Sequence, residues 1–189
     1  GVGEGVGAVS APAVVVTLAT MADVPRLRTI MAGAIAELQS AYLQPDQVRA
    51  SQAIMGLDTQ LIEDGTYFKA LLDGQIAGCG GWSWRATLYG GDHSTALRDA
   101  RPLDPARDPA KVRAMYTDPA FARRGVGSAI MTACLRAAAE RGFQEVELMA
   151  TLAGEPLYRA FGFHEVEAVT SAPIDGVTVP LVRMRRPLP

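Results

Sequence analysis

The chain has 189 residues, 49% of them hydrophobic, which suits one globular domain with a sizeable core. Its formal net charge is −2 and it carries no long run of like charges. That argues against a dedicated nucleic-acid or membrane-surface binder, and no apolar run approaches the ~20 residues a membrane helix needs.

Residues 1–12 are rich in glycine and alanine and are expected to be flexible. Glu4, with no basic residue ahead of an apolar core, does not fit a signal peptide. Residues 13–189 are expected to form one domain. A β-branched strand is predicted over 14–18. Asp23 can cap a helix with Pro25 in its first turn, and Leu27, Ile30, Met31, Ala34, Ile35 and Leu38 follow at helical spacing. A second helix is predicted over 45–55. Strands over 66–72 and 75–84 flank Asp73-Gly74, a strong hairpin signal. A long polar insertion then covers about 85–110; irregular connections of that length are usually functional or disordered.

The remaining elements are a strand over 112–117, a helix over 125–141 stopped by Gly142, and a strand over 145–150. A short helix over 155–161 and strands over 163–169 and 177–185 complete the chain. The order predicts a mixed α/β or α+β architecture. The two cysteines, Cys79 in a glycine-rich strand and Cys134 mid-helix, form no framework. Buried, reduced thiols and a cytoplasmic setting are expected.

The most informative segment is Thr117-Asp-Pro-Ala-Phe-Ala-Arg-Arg-Gly-Val-Gly-Ser128, where a strand gives way to a helix. A helix N-terminus presents unpartnered N–H groups and a partial positive charge, and Gly125 and Gly127 leave the backbone accessible. The physical reading is a diphosphate cradle. A plainer reading is a tightly packed helix start with two solvated arginines. A P-loop would need a lysine after the last glycine, and a dinucleotide fingerprint a small residue where Ile130 stands; neither template fits.

Downstream, the strand Glu145-Val-Glu-Leu-Met149 is followed by Leu157-Tyr-Arg-Ala-Phe-Gly-Phe163. With Ala122-Arg-Arg-Gly-Val-Gly127, this pair of motifs resembles the GNAT superfamily of N-acetyltransferases. The opening Ala19-Thr-Met-Ala-Asp23 and the element order extend the resemblance over nearly the whole chain from about Val14. Three features depart from the family pattern: Ala122 where glutamine or arginine is usual, Thr151 where asparagine is often found, and the 85–110 insertion.

The resemblance implies a mixed, mostly antiparallel sheet flanked by helices, with a V-shaped splay between two parallel strands. It implies acetyl-CoA as cosubstrate, with Met115 and Thr117 pairing with the pantetheine arm. The diphosphate would sit on the backbone of Arg123, Arg124, Gly125, Val126, Gly127 and Ser128, with the Ser128 hydroxyl and the two arginine side chains as further donors. For catalysis it implies the Met115 N–H as oxyanion donor and Tyr158 as general acid toward the departing thiolate. Tyr158 could alternatively be a helix residue packed on Phe161 and Phe163.

The acceptor is expected to be a small-molecule or peptide amine, with no nucleic acid, membrane or metal partner. Family members are often dimers, so a homodimer is implied by analogy. The general base is left open among Glu37, Asp92, His93 and Glu155. Trp82 and Trp84 share one strand face and are candidates either for the acceptor groove or for sheet packing. Tyr42, Asp92 and Arg98 are further candidate neighbours of the groove. The rival function is an acyl-CoA-binding sensor with little turnover.

Overall fold

The computed structural model describes residues 13–189; the expected flexible segment 1–12 lies outside the described residues. In chain order the elements are β1 (Val15–Leu18), α1 (Val24–Leu38), α2 (Pro45–Ile54), α3 (Thr59–Glu63), β2 (Tyr67–Leu72) and β3 (Gln75–Ser83). They continue with β4 (Ala110–Thr117), α4 (Val126–Glu140), β5 (Glu145–Ala150), α5 (Glu155–Ala160), β6 (His164–Thr170) and β7 (Pro180–Pro187). The seven strands form one sheet in the order β1-β2-β3-β4-β5-β7-β6. Only the β4–β5 pairing is parallel. This is the mixed, mostly antiparallel sheet expected from the family resemblance.

Beyond shifts of one or two residues at element ends, two elements differ from the sequence prediction. Helix α3 was not anticipated: its five residues are too few to show a helical period, and it depends on Asp58, whose carboxylate accepts the Gln60 N–H. The last strand starts at Pro180 rather than 177, because Ile174 and Val177 close a tight turn on Asp175 and Gly176, both at positive φ. The Asp73-Gly74 hairpin forms as predicted, with φ of 52° and 73°.

The centre of the sheet opens. β4 and β5 pair only at Ala110 with Val146 and at Lys111 with Glu147. Beyond that point β4 bulges. Arg113 faces Gly81 and Tyr116 faces Cys79, so Ala114 and Met115 together oppose Gly80. Ala114 takes φ 51°, and such an extra residue bends and twists its strand. β5 stays paired with β7 as far as Ala150, so the two parallel strands diverge into the expected splay.

The glycines of β3 set the depth of α4. A Cβ on Gly78 would come within 2.5 Å of the Val126 side chain, and one on Gly80 within 2.9 Å of Ile130. The start of α4 therefore lies close against β3, the strand next to the splay. Its buried stripe, including Ile130, Met131 and Cys134, packs on one sheet face with Val112, Val146 and Leu148. On the opposite face α1 buries Leu27, Ile30 and Met31 against Tyr67 and Cys79. Both cysteines are buried and free, and burial pushes both thiols above their ordinary range. Trp82 packs edge-on against Phe143 at 6.0 Å in the α4 core, and Trp84 lies beneath Arg85 and Arg141. Sheet packing accounts for both tryptophans. No helix among the described residues is long and apolar enough to cross a membrane.

Candidate active site

The splay opens into a cavity of about 460 Å³. One end lies under the segment that joins β4 to α4. There the Asp118 carboxylate accepts the Ala120 N–H and pairs with Arg26 at 2.6 Å, starting a single turn over Pro119–Phe121. The chain then takes φ 63° at Arg123 and φ 80° at Gly125 before entering the helix. Left-handed residues beside right-handed ones turn successive N–H groups toward one side, the geometry of an anion nest. Arg123 adopts this conformation despite its Cβ, at an energetic cost that functional sites tend to retain. Around Gly125 a Cβ would find open space, so glycine is needed there for its φ and not for room. At Gly127 a Cβ would lie 2.9 Å from the end of the Leu157 side chain and 3.9 Å from the Thr117 hydroxyl.

The middle of the cavity is lined by Met115, Thr117 and Tyr158. Met115 is the second residue of the bulge, and the Tyr67 hydroxyl donates to the Ala114 carbonyl at 2.6 Å, holding the bulge in place. Tyr158 projects from α5, is 9% exposed, and meets Phe163 edge-on at 6.1 Å. Burial, with a smaller push from Cys134, raises its phenol to about 12. The phenol therefore keeps its proton across the neutral range. Gly154 makes room for it, since a Cβ there would lie 2.9 Å from the ring. Thr151 forms the turn before α5, its hydroxyl accepting the Gly154 N–H at 3.1 Å.

A match of residues 33–163, more than half of the chain, to the Acetyltransferase (GNAT) family now joins this geometry. The chain belongs to the GNAT acetyltransferase family, and it is an acyltransferase. Solved structures agree in fold. A GCN5-related N-acetyltransferase of Rhodopseudomonas palustris aligns over 95% of this chain and 97% of its own, with a TM-score of 0.65 and 18% identity. The ribosomal-protein-alanine N-acetyltransferase of Brucella melitensis aligns over 92% and 99%, with TM-score 0.62 and 18% identity. The PaiA N-acetyltransferase of Thermoplasma acidophilum, solved in complex with coenzyme A, aligns over 93% and 99% with TM-score 0.61 and 10% identity. No curated protein sequence matches the chain.

Of the residues singled out in this acetyltransferase, Met115, Thr117, Arg123, Gly127 and Tyr158 line one cavity. Arg124, Gly125, Val126 and Ser128 do not line it. Arg124 turns toward the hairpin, 3.8 Å from Asp73 and over the Phe121 ring. Val126 is buried against Gly78, and Ser128 stands exposed on the first turn of α4. The four base candidates lie outside the cavity. Asp92 accepts from the Thr59 N–H and hydroxyl and pairs with Arg98. Glu155 pairs with Arg159 along α5, Glu37 lines a separate surface depression, and His93 is exposed.

The insertion is folded. Arg85 bridges to Pro102, Thr87 exchanges hydrogen bonds with Asp99, and Arg85 forks onto Asp64 at 2.7 and 2.9 Å. Its inner residues Leu88, Tyr89 and Gly90 line the cavity opposite the cradle, together with Tyr42. Asp92 and Arg98, expected beside the groove, instead hold this wall. Arg113, 3% exposed, donates to Asp58 at 3.1 Å and to the Gly90 carbonyl at 2.9 Å. Asp58, 2% exposed, also takes Arg98 at 2.6 Å, and Arg98 reaches Asp92 at 3.1 Å. Burial lowers the Arg113 guanidinium from its ordinary value, against the pull of Asp58. Sequence reasoning missed Arg113 and Asp58. The available signal was an arginine inside the otherwise apolar strand run 112–116.

Proposed function

We propose that the chain transfers an acetyl group from acetyl-CoA to a primary amine by direct attack. The observation that carries this reading is the left-handed cradle at Arg123 and Gly125, which opens into the same cavity as Tyr158 and the bulge residue Met115. Cavity size and form support an extended ligand reaching from cradle to phenol. The coenzyme A complex of the PaiA acetyltransferase and the ribosomal-protein-alanine acetyltransferases of similar fold support the cosubstrate and an amine acceptor.

Acetyl-CoA supplies the activated acyl group. In this reading the backbone of Arg123 to Ser128 holds the diphosphate, with the Arg123 side chain as the nearer cationic partner. The free edge of β4 at Met115 and Thr117 pairs with the pantetheine amides, which the splay from β5 leaves room for. As the amine nitrogen bonds to the acetyl carbon, the carbon–sulfur bond breaks. The Met115 N–H stabilises the charge that develops on the carbonyl oxygen. Tyr158 delivers its proton to the departing sulfur and regains one from solvent, while the nitrogen sheds its own. A reducing, cytoplasmic setting belongs to the same reading and fits two buried free thiols.

The test is release of free coenzyme A thiol from acetyl-CoA with a panel of small amines and amino acids, beside calorimetric titration with coenzyme A. Tight binding with amine-dependent release is the expected result. Binding without turnover on any amine would instead make the chain an acyl-CoA sensor. Stabilisation by a mononucleotide but not by coenzyme A would remove both readings.

A further inference from the structure

Resting on the acetyltransferase reading, we infer that the acceptor carries a single amine on an apolar body and enters the cavity as its uncharged free base. The wall opposite the cradle is formed by Leu38, Gln39, Tyr42, Met55, Leu88 and Tyr89. Among the described residues that line the cavity there is no carboxylate and no imidazole. The two charged residues that do line it, Arg113 and Arg123, are both cations. Asp58, the buried carboxylate paired with Arg113, is not among the lining residues, and its oxygens accept from Arg113, Arg98 and the Gln60 N–H.

An ammonium group passing the exposed Leu38 and Tyr42 into the buried part of this cavity would lose water and gain no counter-charge, a transfer that buried sites avoid unless the charge is paired. A neutral amine loses far less, and an apolar body gains by leaving water. The wall also lacks a group suited to remove a proton. The titratable side chains that face the cavity, besides the two guanidinium groups, are the phenols of Tyr42, Tyr89, Tyr116 and Tyr158 and the Cys79 thiol. Phenols, thiols and guanidinium groups ordinarily hold their protons at neutral pH, and burial pushes Cys79, Tyr116 and Tyr158 further that way. Selection of the free base therefore falls to solution chemistry, and the fraction of amine in that form sets the rate.

The experiment uses the full chain with acetyl-CoA and three acceptors: aniline, 2-phenylethylamine and spermidine. For 2-phenylethylamine, kcat/KM should climb about tenfold per pH unit between pH 6.5 and 9, following its free-base fraction. For aniline it should be flat over that range. Spermidine should be about 100-fold poorer than 2-phenylethylamine at pH 8, because its remaining charges stay unpaired. A pH-independent rate for 2-phenylethylamine, or spermidine equal to it, would overturn the inference and leave the acetyltransferase reading standing. Acetyl-CoA binding with no acetylation of any amine overturns both. As an independent check, Gln39→Glu places a carboxylate in the wall with little change of shape, and Leu38→Glu does so on the exposed rim. Either should raise the spermidine to 2-phenylethylamine ratio about tenfold. An unchanged ratio in folded protein counts against the inference.

Discussion

At the cradle end of the cavity the wall comes from one stretch of chain, through Ala122, Arg123 and Gly127, shaped by two left-handed residues and by the first turn of α4. At the other end it is side chains from α1, the α1–α2 connection and the insertion, held by a chain of ions that runs from the buried Arg113 and Asp58 to the half-buried Arg98 and Asp92. The first construction depends on φ angles and N–H groups and tolerates many side chains. The second depends on side-chain identity at positions far apart in sequence. A protein built this way can change its acceptor through the second wall while the first stays constant, which is how one fold comes to host many substrates.

Between the two ends stands Tyr158, and its removal should give the largest effect. Tyr158→Phe is expected to lower kcat by about 100-fold or more, the range of a lost general acid. Coenzyme A affinity and acceptor KM should stay within about twofold, because neither wall has changed. The raised phenol, at about 12, also fixes a sign. The donor form exists below the pKa, so kcat should show no fall from Tyr158 ionisation up to pH 9.5. An unchanged kcat in Tyr158→Phe across active acceptors would leave Tyr158 a packing residue on Phe163.

Asp58→Ala strikes the side-chain end. It leaves Arg113 buried with no carboxylate, a change that typically costs about 3–5 kcal/mol. Denaturant unfolding should show that loss. Acceptor KM should rise as Leu88 and Tyr89 lose their anchor, while coenzyme A affinity is retained. Equal weakening of both ligands would mean that the two ends are not separable.

Gly125→Ala strikes the backbone end more gently. The added Cβ finds open space, so only the left-handed conformation resists it, at about 1–2 kcal/mol. Coenzyme A affinity should drop about tenfold with acceptor KM unchanged. Gly127→Ala probes room and not φ: its Cβ would lie 2.9 Å from the end of Leu157 beside the cavity, so a loss of coenzyme A affinity there reports space at the site and not backbone conformation.

The same contrast explains what was legible in the sequence. The cradle, the hairpin and most strand and helix positions come from residues adjacent in the chain, so Arg-Arg-Gly-Val-Gly and Asp-Gly carried enough signal. The splay was legible only through family resemblance, because its cause is a register shift between Gly80 and the pair Ala114 and Met115. Nothing local marks such a shift. The wall opposite the cradle was illegible for a related reason. Asp92 and Arg98 were singled out as groove neighbours, yet their partners Thr59, Asp58 and Arg28 lie across the fold, so their role as struts could not be separated from a role as lining.

The bulge itself offers the finest test. The Tyr67 hydroxyl ties the Ala114 carbonyl to β2 from the face opposite Tyr158. Tyr67→Phe keeps the ring, which is fully buried, and removes one hydrogen bond worth about 1 kcal/mol. If that bond sets the direction of the Met115 N–H, kcat should fall about fivefold with both binding steps intact, since a donor aimed at developing charge acts on the rate alone. A stability loss with unchanged kcat would mean that the register shift by itself orients Met115. The variant has a second signature. Burial, with Cys79 and Tyr116 nearby, holds the Tyr67 phenol well above its ordinary 10.0. A phenol whose folded-state pKa is raised stabilises the fold fully below the unfolded value, and that contribution is lost as pH rises beyond it. Above pH 10 the stability of Tyr67→Phe should therefore decline less steeply than that of the parent chain, measured by unfolding midpoints at successive pH values.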